Sequence, residues 1–214
     1  MRYLVVILSI ALAAIVALTV LRHQTGNAPL EMMKPPDSSL APPSHAFQKL
    51  WPLPAFSLTE RSGKTISLND LKGKIWVADF FYAGCPGPCP LVSSRLGALQ
   101  KAIGNDPIVR LVSISTDPEN DTPAVLQTYA QRFGASDRWL FLTGKKEQIY
   151  SLANLGFKLA LAEDRTAKEA IIHSTRLALV DAAGTVRGFY DGLTDEGGSR
   201  LLDDLHRLEK ETVK

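Results

Sequence analysis

Cysteine is scarce in this chain: two of 214 residues, Cys85 and Cys89. A structural zinc site usually wants four ligands, and no second cysteine pair is present to complete one. Long apolar runs are also few. Only one stretch is long enough to cross a bilayer, which excludes a multi-span membrane protein. An excess of one charge is missing as well, with 24 Lys and Arg against 22 Asp and Glu. Residues 1–50 hold four of the basic and two of the acidic side chains, so the rest carries 20 of each and is neutral. That balance lacks the electrostatic footprint of a nucleic-acid binder. At 45% hydrophobic and 21% charged, the composition fits neither an intrinsically disordered chain nor a collagen-like repeat. No internal repeat is visible.

The one long apolar run covers Tyr3 to Leu21, interrupted by Ser9 and Thr19. It is near the length a helix needs to span hydrocarbon. Arg2 and the α-amino group flank its N-terminal side, which favours a cytoplasmic N-terminus and an exported remainder. Its small residues lie inside the run, and Leu21-Arg22-His23-Gln24 makes a poor cleavage site. Residues 1–22 therefore read as an uncleaved single transmembrane helix, with a cleaved signal as the alternative. No Cys follows the run, so no lipoprotein anchor is expected. Residues 23–50 contain five prolines among polar residues and read as an extended tether. Met32, Met33 and His45 lie there and read as ordinary tether residues rather than copper ligands.

Residues 51–214 read as one α/β domain. Phe56–Thr59 and Lys64–Leu68 flank Arg61-Ser62-Gly63 as a hairpin. Ile75–Tyr82 and Ile108–Ile114 are nearly continuous apolar runs, as in strands buried on both faces of a parallel sheet. Val92, Leu96, Leu99 and Ile103 mark one helix face, stopped by Gly104. Thr122 caps a second helix that opens on Pro123 and turns Leu126, Tyr129, Ala130 and Phe133 inward. Trp139–Thr143 predicts a strand and Glu147–Leu155 a helix. Thr175–Val180 and Thr185–Tyr190 predict an antiparallel hairpin. Leu201, Leu202, Leu205 and Leu208 face inward from a closing helix. This order implies a thioredoxin-like α/β fold with an N-terminal hairpin.

Both cysteines sit in Cys85-Pro86-Gly87-Pro88-Cys89-Pro90, between a buried strand and a helix, where α/β folds place their sites. Cys85, Gly87 and Cys89 each precede a proline and are biased away from helical dihedrals. A stiff loop is expected, with Cys89 at the helix cap, where the dipole favours a thiolate. Thiols four positions apart can form a disulfide or share one metal ion. A purely structural bridge over so short a loop would restrain little of the unfolded chain.

Two histidines remain in the folded part. His206 falls among charged residues of the closing helix and reads as a surface side chain. His173 directly precedes a strand, and in a thioredoxin-like fold that junction lies across from the cysteine-bearing helix. Two thiolates and an imidazole make a soft ligand set that suits Cu(I), or Cu(II) with an added ligand. Oxidation of Cys85 and Cys89 would remove two ligands at once, so loading requires prior reduction. Asp79 interrupts an apolar strand six residues before Cys85 and reads either as a proton partner of the thiols or as a hydrogen-bonded structural carboxylate. Asp117 reads as a turn residue before Pro118, with a position facing the metal or the partner as the alternative.

These motifs together resemble the SCO/SenC family of copper proteins. The resemblance rests on Asp79-Phe80-Phe81-Tyr82-Ala83-Gly84-Cys85-Pro86-Gly87-Pro88-Cys89-Pro90, Ser115 to Pro123, Arg138 to Gly144, and His173-Ser174-Thr175. It implies a thioredoxin-like fold and a copper site on Cys85, Cys89 and His173. It also implies copper delivery to, or thiol maintenance of, the binuclear copper centre of cytochrome c oxidase subunit II, or a related recipient, with a thiol reductant as second partner. The implied location is a bacterial inner membrane, with the domain facing the periplasm or cell exterior. Where many members carry an acidic residue between the cysteines, this chain has Pro-Gly-Pro; Ile172 stands where many have a polar residue. The alternative function is a membrane-anchored thiol–disulfide oxidoreductase with Cys85 as the attacking thiolate. A peroxiredoxin-type peroxidase is disfavoured, because Tyr82 stands where that family carries Thr or Ser.

Overall fold

Ile75–Phe81 is buried at every position, and that is the pattern of a central strand covered on both sides. In the computed structural model, which describes residues 48–159 and 174–212, it is the hub of an eight-stranded sheet. The strands in chain order are β1 (Trp51–Pro52), β2 (Ser57–Glu60), β3 (Thr65–Ser67), β4 (Ile75–Phe81), β5 (Val109–Ser115), β6 (Trp139–Thr143), β7 (Arg176–Val180) and β8 (Thr185–Asp191). Their order across the sheet is β1-β8-β7-β4-β5-β6-β2-β3. β4, β5 and β6 are parallel, as crossover helices require, while the hairpin strands on both sides run antiparallel.

Among the described residues four α-helices accompany the sheet: α1 (Cys89–Ile103), α2 (Pro123–Arg132), α3 (Lys146–Ser151) and α4 (Asp195–Thr212). Gly104 ends α1 at φ 63°, a left-handed conformation that a side chain would strain. The Thr122 hydroxyl accepts the Val125 N–H at the start of α2. α1, α2 and α4 pack on one face of the sheet. Val92, Leu96 and Leu99, then Leu126, Tyr129 and Ala130, then Leu201, Leu205 and Leu208 are buried there with Ile75, Val77 and Phe81. Trp76, Ala78 and Phe80, of opposite parity, pack with Ile149, Leu152, Ala153 and Phe157 on the other face. Each fully buried Leu or Phe contributes about 1.5–3 kcal/mol.

The elements predicted within the described residues are present, with boundary differences that have local causes. The helix expected over Glu147–Leu155 is α-helical only to Ser151. It continues as a wider π turn over Leu152–Gly156, closed by the Phe157 N–H on the Leu152 carbonyl. The Gly156 carbonyl accepts the Trp51 indole N–H at 2.7 Å. That contact and pairing with β8 define β1, a strand too short to show in the sequence pattern. A 3-10 turn, Leu68–Leu71, also went unpredicted. Leu202 packs against the same core as Leu201, Leu205 and Leu208 but is only half-buried.

The chain enters the domain along β8. The Leu50 N–H donates to the Val186 carbonyl, and Arg187 Nε donates to the Gln48 carbonyl. The apolar run at residues 3–21, Met32, Met33, His45 and His173 lie outside the described residues. Among the described residues no helix is long and apolar enough to cross a membrane.

Candidate functional site

β4 ends at Phe81, and the chain turns at once, the Cys85 N–H donating to the Tyr82 carbonyl at 3.2 Å. Pro86, Gly87 and Pro88 then carry it to Cys89, the first residue of α1. Restricted φ at the two prolines, and restricted dihedrals before them, make this bend stiff. Both cysteines are buried, at 6% and 4% exposure, and neither is in a disulfide. The two thiols lie within hydrogen-bonding reach of each other.

The expected state of Cys89 is corrected by this geometry. Pro88, with φ −77° and ψ −20°, is the residue before the helix, and Cys89 is already inside it. Burial pushes the Cys89 thiol up rather than down, with the Cys85 thiol adding to the effect. A helix N-terminus contributes about 0.3–1 kcal/mol to a nearby anion, whereas desolvating a buried charge costs several. Burial therefore outweighs the dipole.

Asp79 lies on the same face of β4 as Ile75, Val77 and Phe81, and it is only 2% exposed. Parallel pairing sets it opposite Ser113 of β5. The Ser113 hydroxyl donates to Asp79 Oδ1 at 2.5 Å and accepts the Trp139 indole N–H at 2.9 Å. Burial raises the Asp79 carboxyl to about 7, against the opposing pull of the Ser113 hydrogen bond. Its charge in turn pushes the Cys89 thiol up, so carboxyl and thiol sense each other's ionisation. Asp79 is thus hydrogen-bonded, as one of its two readings had it, and burial raises its carboxyl toward neutrality. Tyr129 completes the wall, its hydroxyl 2.9 Å from that of Ser93.

The loop after β5 packs against the cysteine loop. The Thr116 N–H and hydroxyl both donate to the Phe81 carbonyl. Asp117 behaves as the expected turn residue: its carboxylate accepts the Asn120 side-chain amide, and its carbonyl accepts the N–H groups of Asn120 and Asp121. The residue that reaches the cysteine loop is Asp121, which sequence reasoning missed. It is 2% exposed, and its Oδ2 accepts the Ala83 N–H at 3.0 Å and the Ser115 hydroxyl at 2.5 Å. Burial raises its carboxyl, while those two donors oppose the rise. Ala83 is 38 residues away along the chain, so no local spacing could have signalled the contact.

Of the proposed ligands, Cys85 and Cys89 are together. His173 lies outside the described residues, among which no group of three or more metal-ligating side chains gathers. His206 is exposed on α4. The described chain resumes at Ser174, beside α1: a Cβ placed on Gly192 would lie 2.6 Å from the Thr175 carbonyl oxygen and 3.3 Å from side-chain carbons of both Leu177 and Val92.

A SCO1 protein homolog of Bacillus subtilis (strain 168) is 34% identical over 153 residues, covering 70% of this chain and 79% of that protein. BsSco, described as a member of the Sco family of cytochrome c oxidase assembly proteins in which a disulfide switch was identified, superposes with a TM-score of 0.66 at 31% identity, over 75% of this chain and 94% of its own. Arabidopsis thaliana ScoI, solved with copper bound, gives a TM-score of 0.62 at 26% identity, over 72% and 98%. The thioredoxin-like α/β fold expected from the order of elements is the fold observed. A family model described as SCO1/SenC matches residues 50–209. With nearly the whole domain matched in this way, the chain belongs to the SCO1/SenC family.

Proposed function

We propose that this protein is a copper chaperone that holds one copper ion through Cys85, Cys89 and His173 and passes it to the binuclear copper centre of cytochrome c oxidase subunit II or a related recipient. The observation that carries the reading is the pair of buried, unbridged thiols in mutual reach on a stiff loop. Two sulfurs held side by side are a preformed half-site for a soft cation. The nearness of Thr175 to the first turn of α1 supports His173 as third ligand, since two extended residues span at most about 7 Å. Copper-bound Arabidopsis ScoI and the assembly role stated for BsSco's family support the cargo and the recipient class. We assign residues 1–22 to a membrane anchor, 23–50 to a tether and 51–214 to the domain, which then faces the periplasm or cell exterior.

The ligand set is tested by Cu(I) titration of the reduced full chain, purified in detergent, beside Cys85→Ser, Cys89→Ser and His173→Ala. Residues that merely support metal ligands are worth about 10–100-fold in affinity, so losing a ligand is expected to cost more than about 100-fold. Equal affinity in wild type and His173→Ala would remove that residue from the site. Binding displaces thiol protons, so affinity falls as pH falls.

A second reading, thiol–disulfide exchange with an exported protein, is favoured by Asp79, a buried carboxyl that titrates near pH 7 beside the thiols. In exchange, one thiolate attacks the partner's disulfide and the second resolves the mixed disulfide, leaving a Cys85–Cys89 bridge and a reduced partner. A thiol reductant must then restore the pair. His173→Ala separates the two: exchange with a subunit II peptide survives it in either case, while oxidase copper loading in cells fails only for a chaperone.

A further inference from the structure

We infer that Asp121 is a positioning residue for the cysteine pair: its buried carboxylate clamps the cysteine loop to the loop after β5 and so holds Cys85 beside Cys89. The inference rests on the reading of Cys85 and Cys89 as the functional pair.

The turn from Tyr82 to Cys85 closes with one hydrogen bond, Cys85 N–H to Tyr82 carbonyl, and its second residue is Ala83. The Ala83 N–H points out of that turn onto Asp121 Oδ2 at 3.0 Å. The same oxygen accepts the Ser115 hydroxyl, and the Ser115 oxygen accepts the Asp117 N–H at 3.0 Å. The Asp121 N–H is held by the Asp117 carbonyl at 2.8 Å. The carboxylate is therefore fixed from its own backbone and from the end of β5, and it delivers that rigidity to a point two residues before Cys85. Hydrogen bonds to a charged acceptor are roughly twice as strong as neutral ones, and this one is buried, where it is least weakened by water. Pro86 and Pro88 stiffen the far side of Cys85. Asp121 stiffens the near side, where neither Ala83 nor Gly84 has the fixed φ of a proline. Two thiols held in one geometry close a disulfide, or grip one ion, without a further ordering cost. A loosened loop incurs that cost at each closure.

The test uses the full chain and reads two quantities: the equilibrium constant of the Cys85–Cys89 disulfide against glutathione, and affinity for Cu(I) presented with a chromophoric competitor. Asp121→Ala is expected to make the disulfide about tenfold easier to reduce and to weaken Cu(I) binding by a similar factor. Asp121→Asn keeps an acceptor oxygen on the same stem and should stay within about threefold of wild type. Asp181→Ala is the control. It removes another buried carboxylate that accepts backbone N–H groups, those of Ala183 and Thr185, away from the cysteines. It should lower the denaturation midpoint and leave both quantities unchanged. The inference is overturned by a folded Asp121→Ala protein with both quantities within about twofold of wild type. It is equally overturned by an Asp121→Asn protein as impaired as Asp121→Ala, or by the same shifts in Asp181→Ala. If Asp121→Ala does not fold, Ser115→Ala decides: an intermediate shift supports the clamp, and unchanged values overturn it. Should Cys85→Ser bind Cu(I) like wild type, the copper reading fails, while the wild-type and variant disulfide equilibria still decide the clamp.

Discussion

Asp79 shows how one residue couples the stability of the fold to the chemistry of the thiols. Its carboxyl holds a proton to about pH 7 in the folded protein and only to about 3.8 in an open chain. Between those values the native state binds the extra proton, so raising the pH favours unfolding. The slope attributable to Asp79 approaches about 1.4 kcal/mol per pH unit in that window. Asp79→Asn removes it. Urea midpoints measured from pH 4 to pH 8 at fixed ionic strength should show the variant gaining on wild type as pH rises toward 7 and keeping that gain above it. Parallel curves would mean that Asp79 ionises freely in the native state. The exchange reaction should respond as well, because a carboxyl that titrates in that range sets the charge facing Cys89. Cys89 itself is governed by the same balance, since its burial costs more than the helix N-terminus returns.

At the scale of an element, α4 depends on how closely its first turn approaches the end of β8. A Cβ on Gly197 would lie 2.1 Å from the Asp191 carbonyl oxygen and 3.0 Å from that residue's nitrogen, so backbone would have to move. The next residue, Gly198, has nothing within 4 Å of the same position. Two neighbouring glycines in one helix should therefore respond with opposite signs. Gly198→Ala is expected to stabilise by about 0.5–1 kcal/mol through helix propensity. Gly197→Ala is expected to destabilise by about 1–3 kcal/mol, because overpacking outweighs that gain. Thermal denaturation of the two variants decides the matter, and a loss of stability in both would show that Gly198 has a role beyond chain flexibility. The cysteine loop lies at the same end of the sheet, a short element whose stiffness comes from its own prolines and whose position comes from a carboxylate elsewhere.

Across the whole molecule, Arg187 ties the ends of the domain together. Its guanidinium donates to Asp181 in the β7–β8 turn, to Glu211 near the end of α4 and to the Gln48 carbonyl where the chain enters. The Arg187 side chain is 4% exposed and that of Asp181 9%, so this pair meets largely out of water, while Glu211 is half-exposed. Removing one member of a buried ion pair typically costs about 3–5 kcal/mol, because the other charge is left uncompensated. Arg187→Ala should lose that much in urea denaturation and expose Trp51, which pairs with β8 beside this cluster, as a red shift of tryptophan fluorescence. An unchanged midpoint would show that Asp181 is satisfied by its backbone donors alone. The element identities were legible from the chain because they depend on near neighbours. Continuous apolar runs gave β4 and β5, three- and four-residue spacings gave α1, α2 and α4, and alternating prolines marked the cysteine bend. Strand order, the short β1 and the π turn after α3 were not legible, because Trp51 and Gly156 meet across 105 residues. The chain alone thus determined that two thiols would share a stiff bend at the end of a buried strand. Only the tertiary structure decided that Asp79 lies beneath them, that Asp121 rather than Asp117 grips the loop, and that Cys89 is held protonated, because desolvation and buried hydrogen bonds sum over neighbours in space and leave no trace in local sequence.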